Sequence, residues 1–165
     1  MCLPPFSVVS IHATIRRVVL FVAITIALVA QAATGPYDEA ADARNDLKAA
    51  LAVAKESKVA VLVVFGANWC SDCRALDKAF KTGATAPLIE KFFAVVKVNV
   101  GRFDRNVELA ETYGVPLKRG IPAIAVLNSD GGVTFATRAG ELADAQQMGE
   151  KGIHDFFAKL AGGAK

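Results

Sequence analysis

Histidine, cysteine and an excess of charge of one sign are what this sequence has little of. It contains 2 His and 3 Cys in 165 residues, and its 19 Lys and Arg residues are nearly balanced by 16 acidic ones, for a formal net charge of +3. A protein that binds nucleic acid usually carries a basic patch or a strongly basic domain. We therefore expect no nucleic-acid partner.

An apolar segment near the N-terminus indicates export. Arg16 and Arg17 precede an apolar run over 18–30, and Ala30-Gln31-Ala32 has the small-residue pattern of a signal cleavage site. The run is shorter than the ~20 apolar residues that span a bilayer. We therefore predict a cleaved signal peptide over 1–32, with a retained N-terminal anchor as the alternative.

The rest of the chain, residues 33–165, has the length of one compact domain. Residues 33–37, which include a Gly-Pro pair, are predicted to form a short linker before it. With the signal removed, we expect a periplasmic or otherwise exported monomer that is not stably inserted in a membrane.

The exported chain would keep two cysteines, Cys70 and Cys73, and one histidine, His154. These residues fall short of the four ligands that a structural zinc site normally takes. The spacing of the cysteines favours a redox pair over a metal site. We predict no bound metal, and no cofactor apart from a redox-active disulfide between Cys70 and Cys73.

The residues around this pair support a redox role. Residues 59–65 form a continuous apolar run rich in β-branched side chains, which is typical of a strand buried on both faces. After the turn at 66–68 and Trp69, the spacing becomes helical. Unpaired N–H groups and the dipole at a helix N-terminus lower the pKa of a thiol. We therefore predict that Cys70 is the nucleophile and that Cys73 resolves the mixed disulfide.

The other apolar patterns complete an α/β fold. Segments whose apolar residues have the spacing of an α-helix alternate with short apolar runs. The predicted order is helix, strand, helix, strand, helix, strand, strand, helix. This order predicts a central mixed sheet of about four strands flanked by helices. The predicted helices cover 38–57, 70–81, 86–92, 107–113 and the C-terminal region, and the predicted strands cover 59–65, 94–100, 123–127 and 133–137.

Two motifs resemble those of the thioredoxin superfamily. Trp69-Cys70-Ser71-Asp72-Cys73 resembles its active-site motif, and Gly120-Ile121-Pro122 resembles its cis-proline segment. Residues 65–80 are also similar to the C-terminal thioredoxin-like domain of the transmembrane thiol reductase DsbD and its secreted relatives. The resemblance covers roughly residues 58–160, and it implies a thioredoxin-like fold.

The resemblance also implies how a substrate binds. It implies that Trp69 shields the nucleophile. It further implies a cis peptide bond between Ile121 and Pro122 that turns the Ile121 backbone toward the cysteines, where it can pair with an extended substrate. We therefore take Trp69, Ile121 and Pro122 as candidate substrate-binding residues.

One position departs from the family pattern. Many thioredoxin relatives have a buried acid six residues before the first cysteine, and this chain has Val64 there. Asp77 lies four residues after Cys73 on the same helix face, where DsbD-type domains also carry an acid. We predict that Asp77 replaces the missing proton acceptor; the alternative is a surface ion pair with Arg74 or Lys81.

Asp72, between the cysteines, bears on the direction of electron flow. Its charge beside the helix N-terminus would oppose a thiolate on Cys70, and a less stable thiolate means a less stable reduced form. That effect points away from a strong oxidant. The alternative is that Asp72 faces water and only favours the helix start.

Together these patterns predict an exported thiol–disulfide oxidoreductase that uses its CxxC pair as a reductase or electron relay, not as a strong oxidant. Its expected partners are protein thiols or disulfides and an upstream redox protein. The alternative is a thioredoxin-like metallochaperone or thiol-dependent chaperone that binds through the two cysteines without turnover.

Overall fold

The computed structural model describes residues 35–163 of the chain. The predicted signal peptide over 1–32 and its cleavage site lie outside these residues. In the described part, no helix is both long enough and apolar enough to cross a membrane.

Within residues 35–163, five α-helices flank one sheet of four strands, and two helices, not one, lie between the first two strands. The strands lie in the order β2-β1-β3-β4. Strands β1 and β2 are parallel, and the other two pairs are antiparallel. The predicted mixed sheet of four strands flanked by helices is therefore confirmed. The elements are α1 (Ala43–Ser57), β1 (Ala60–Gly66), α2 (Ser71–Lys81), α3 (Thr85–Phe92), β2 (Phe93–Asn99), α4 (Val107–Thr112), β3 (Ala123–Leu127), β4 (Val133–Ala136) and α5 (Ala145–Gly163).

Strand β1 forms the centre of the sheet. All of its residues are buried, which matches an apolar run that has no polar face to expose. Its C-terminal end at Gly66 leads through a tight turn into α2. The two cysteines therefore lie beyond the carboxyl end of a central strand, where open α/β sheets commonly place their sites.

Helix α1 begins later than the sequence predicts. The predicted start is at 38, but the helix begins at Ala43, because the Asp42 side chain caps it. Asp42 Oδ1 accepts the backbone N–H groups of Arg44 and Asn45 at 3.0 and 3.1 Å. These bonds satisfy donors that have no partner within the helix.

Aromatic side chains attach the last helix to the rest of the core. Phe157 of α5 meets Phe80 of α2 and Phe93 of β2 edge to face, with ring centroids 5.0 and 6.5 Å apart. Pairs of this kind contribute about 0.5–1.5 kcal/mol each beyond the area they bury. Before this cluster, α5 is broken at Gly149, whose φ of 64° is a conformation that favours glycine.

The segment before β3 has more structure than the linker expected at 115–120. Leu117–Arg119 form one turn of 3-10 helix. Gly120 follows with a φ of 118°, where a side chain would be strained and a Cβ would lie 2.6 Å from the Ala143 Cβ. This turn delivers the chain to Ile121 beside the cysteines.

Candidate active site

Cys70 and Cys73 form a disulfide at the start of α2. Cys70 is the N-cap residue of the helix, and its Sγ accepts the backbone N–H of Cys73 at 3.0 Å. Cys70 is 5% exposed, whereas Cys73 has no exposed surface. A substrate sulfur would therefore meet Cys70 first, and the N–H group at its sulfur favours a negative charge there.

The Ile121–Pro122 segment lies against the first of the two sulfurs. The peptide bond between these residues is cis, and both residues are buried. The Ile121 carbonyl oxygen is 3.5 Å from Cys70 Sγ. The structure thus brings Cys70 together with the adjacent residues Ile121 and Pro122, which begin 51 positions further along the chain.

Trp69 forms an exposed aromatic edge beside the disulfide. The side chain is 49% exposed, and its Nε1 donates a hydrogen bond to the Gly101 carbonyl oxygen at 2.8 Å. Phe103 is 44% exposed and meets the indole edge to face, with centroids 6.0 Å apart. The Arg102 guanidinium lies 6.0 Å from the indole centroid. The sequence predicts only a polar loop over 101–106, so Phe103 is a candidate residue that sequence reasoning missed.

The backbone of Phe103 is in the left-handed region, with a φ of 66°. A bulky residue is uncommon there, and the conformation costs roughly 1–2 kcal/mol. Such strain is often found at functional sites. An exposed aromatic ring in a strained conformation, next to Trp69, is well suited to contact an apolar side chain of a substrate.

Replacing Phe103 with Asn should therefore separate binding from stability. We expect the KM for a protein disulfide to rise about fivefold, because roughly 1 kcal/mol of apolar contact is lost. The melting temperature should stay the same or rise, because Asn tolerates a positive φ. Val133→Thr, at another exposed apolar side chain, is the control. An unchanged KM with a lower melting temperature would instead assign Phe103 to packing.

Asp77 lies between two lysines. Its carboxylate accepts hydrogen bonds from Lys81 Nζ, at 2.8 Å, and from Lys97 Nζ. Partial burial acts to raise the pKa of Asp77, but the hydrogen bonds and charges of the two lysines outweigh it and hold the pKa below its ordinary value. The ion pair with Lys81 that the alternative names is present, but the Asp77 side chain is mostly buried and also pairs with Lys97. The proton-acceptor role of Asp77 stays a prediction.

Lys97 lies next to the central strand of the sheet. In the parallel pairing of β1 and β2 it lies opposite Val64, the buried residue that replaces the acid of the thioredoxin pattern. The negative charge that Lys97 contacts therefore comes from Asp77 on α2 and not from strand β1.

Asp72 is held in place by another helix. Its Oδ1 accepts the backbone N–H of Gln146, near the start of α5, at 2.9 Å. Neither interpretation of Asp72 from the sequence included this contact, because it joins residues 74 positions apart. The carboxylate thus lies in the first turn of α2 and also satisfies a donor of α5.

The segment predicted as a linker is attached to the active-site turn. Tyr37 is 2% exposed. Its N–H donates to Asn68 Oδ1 at 2.9 Å, and Asn68 Nδ2 donates to the Tyr37 carbonyl oxygen at 2.8 Å. The linker expectation is therefore wrong at Tyr37. A Gly-Pro pair before a single aromatic residue does not reveal a partner 31 residues away.

Between residues 35 and 163, no three His, Cys, Asp or Glu side chains lie close enough together to hold a metal ion. The absence of metal and of any further cofactor stays a prediction.

Comparison with known proteins gives consistent results. A family model described as Thioredoxin-like matches residues 42–129. The chain is 36% identical over 92 residues to a thioredoxin of Buchnera aphidicola subsp. Baizongia pistaciae, which covers 55% of this chain and 74% of that protein. A thioredoxin of Buchnera aphidicola subsp. Schizaphis graminum is 32% identical over 95 residues, covering 55% of this chain and 75% of that protein.

One solved structure is similar over nearly its whole length. It is described as a disulphide isomerase from Xylella fastidiosa Temecula1. It shares 54% sequence identity with this chain and covers 78% of this chain and 98% of its own, with a TM-score of 0.75.

A sheet of this order with a CxxC disulfide at the start of α2 defines a thiol–disulfide oxidoreductase with a thioredoxin fold. The chain belongs to the thioredoxin-like family.

Proposed function

We propose that this oxidoreductase is exported and acts as a reductase of protein disulfides or as an electron relay between exported proteins. The observation that carries the proposal is the disulfide at the start of α2, with the Ile121 carbonyl oxygen at its outer sulfur. In the reduced form, the Cys70 thiolate attacks a substrate disulfide and releases one substrate thiolate. The Cys73 thiolate then attacks Cys70 Sγ, closes the disulfide and releases the second substrate sulfur.

The preference for reduction rests on Asp72. Its carboxylate lies in the first turn of α2, where a negative charge disfavours the Cys70 thiolate and hence the reduced form. A protein whose reduced form is less stable donates electrons more readily. Trp69, Ile121 and Pro122 would hold the substrate, with Phe103 beside Trp69.

The reduction potential of the Cys70–Cys73 pair tests the direction of electron flow. Equilibration with glutathione buffers should give a value nearer to that of thioredoxin, about −270 mV, than to that of DsbA, about −120 mV. A value near −180 mV, roughly that of protein disulfide isomerase, would instead support isomerase activity like that named for the similar Xylella protein. A titration of the protein with Cu⁺ or Zn²⁺, beside an insulin-reduction assay, tests the metallochaperone alternative. That alternative requires tight metal binding without reduction of insulin.

Export has its own test. The mature N-terminus should lie at or near Ala33, and intact-mass analysis of the protein from the periplasmic or secreted fraction should show it. Full-length protein in the membrane fraction would support a retained anchor instead.

Asp77→Asn tests the second step of the reaction. If Asp77 accepts the Cys73 proton, resolution of the mixed disulfide should slow by about tenfold, less than the ~100-fold typical of a general base, because two lysines lower its basicity. The first attack by Cys70 should not change. Asp155→Asn, which removes an exposed acid paired with Lys151 on α5, is the control. Equal resolution rates in the two variants would mean that water accepts the proton.

A further inference from the structure

The Tyr37 hydroxyl group lies directly behind the disulfide. A Cβ built on Gly66 would collide with the Tyr37 hydroxyl oxygen and the ring carbon that bears it, and would lie 3.0 Å from Cys73 Sγ. The phenol oxygen and the inner sulfur therefore border the same small space above the Gly66 Cα. The phenol can occupy that space because residue 66 is glycine and has no Cβ.

The active-site turn holds the backbone of Tyr37 in place. Asn68, which precedes Trp69, makes two hydrogen bonds to the Tyr37 backbone, one as acceptor and one as donor. Glu39 lies two residues after Tyr37, and its carbonyl oxygen accepts a hydrogen bond from Arg105 Nη1 at 2.8 Å. These bonds hold the backbone around Tyr37, and the Tyr37 side chain is itself buried.

The phenol is protonated at neutral pH. Burial, and then the negative charge of Asp77, raise the pKa of Tyr37 above its ordinary value. Tyr37 can therefore donate a hydrogen bond but cannot accept a proton from a thiol. A neutral O–H donor next to a sulfur favours its charged form over its protonated form.

We propose that Tyr37 is a positioning residue for Cys73, whose thiolate accepts a hydrogen bond from the Tyr37 hydroxyl whenever the disulfide is open. This inference rests on the proposed function and concerns its second step. In that step the Cys73 thiolate forms a bond to Cys70 Sγ, the bond from Cys70 to the substrate sulfur breaks, and the electron pair leaves on the substrate sulfur. Tyr37 keeps its proton throughout.

The role of Tyr37 can be tested separately from that of Asp77. Asp77 of α2 and Lys97 of β2 are paired with each other, and Asp72 and Arg74 flank Cys73 on α2. Asp77 also holds Lys81. Removal of the Tyr37 hydroxyl leaves these ion pairs in place, so its effect on Cys73 can be measured separately.

Stopped-flow reaction of the reduced protein with 5,5′-dithiobis(2-nitrobenzoate) resolves the two steps. The first thionitrobenzoate released reports attack by Cys70, and the second reports resolution by Cys73. In Tyr37→Phe, we expect the pH midpoint of the second release to rise by about one unit, which makes it about tenfold slower at pH 7. The first release should keep its rate and its pH dependence. Tyr113→Phe, at the only other tyrosine, should match the parent in both phases.

A second variant should shift the pH midpoint of the second release in the opposite direction. In the Tyr113→Phe background, incorporation of 3-fluorotyrosine places a more acidic phenol at position 37 alone. A stronger donor should shift the second midpoint downward, which a merely structural role of Tyr37 would not do. An unchanged second midpoint in both Tyr37 variants would overturn the proposal. Loss of the first release in the unmodified protein would instead overturn the proposed function.

Discussion

Cys70→Ser is expected to lower insulin reduction to the rate seen without enzyme, whereas Cys73→Ser should stop turnover and leave a mixed disulfide that can be isolated. The reason is the order of the two sulfurs. Cys70 caps α2 and retains some exposed surface, and Cys73 lies behind it with none. Only the outer sulfur can attack a substrate, and only the inner one can release it.

Mass spectrometry of the two variants after reaction with a disulfide peptide checks this assignment. The peptide should remain attached to Cys70 in the Cys73→Ser protein, and no adduct should form on Cys73 in the Cys70→Ser protein. In the reduced parent, iodoacetamide at neutral pH should modify Cys70 first. Faster alkylation of Cys73 would reverse the roles of the two residues.

Gly66→Ala should lower the stability of the protein markedly. The new Cβ would meet the Tyr37 hydroxyl and ring and would crowd Cys73 Sγ at 3.0 Å. The backbone at Gly66 is extended strand, so the cost comes from packing and not from φ. Overpacking of a core typically costs about 1–3 kcal/mol, and we expect the melting temperature to fall by roughly 5–10 °C.

Two further variants make the result specific. Gly162→Ala adds a methyl group where nothing lies within 4 Å, so its melting temperature should be unchanged or slightly higher. In the Tyr37→Phe background, the loss caused by Gly66→Ala should shrink, because one of the colliding atoms is gone. Strictly additive losses would show that the two residues do not share the same space.

The redox site could be predicted from the sequence because its main signals are local. The apolar run of β1, the turn and the CxxC spacing lie within one short stretch, and each follows from side-chain periodicity. The mixed sheet of about four strands followed from the alternation of apolar runs and helical spacing. These features need no knowledge of which distant residues meet.

The parts that could not be predicted depend on contacts across the chain. Tyr37 lies after a Gly-Pro pair in a segment with no periodicity, and only the folded chain places it behind Cys73. Phe103 adopts a positive φ that its residue type disfavours. The Asp72 contact with α5 requires a helix end to arrive beside the cysteines. In each case tertiary structure overrides what the local sequence favours.

The bond from Gln146 to Asp72 matters for anyone who wishes to retune this enzyme. The two residues between the cysteines are a natural place to randomise when a new potential is wanted, because their charge acts on the Cys70 sulfur. Here position 72 also supports the start of α5. A library that varies both positions would therefore select for folding as well as potential. Restricting position 72 to Asp, Asn or Ser keeps an acceptor for the Gln146 N–H while still varying the charge.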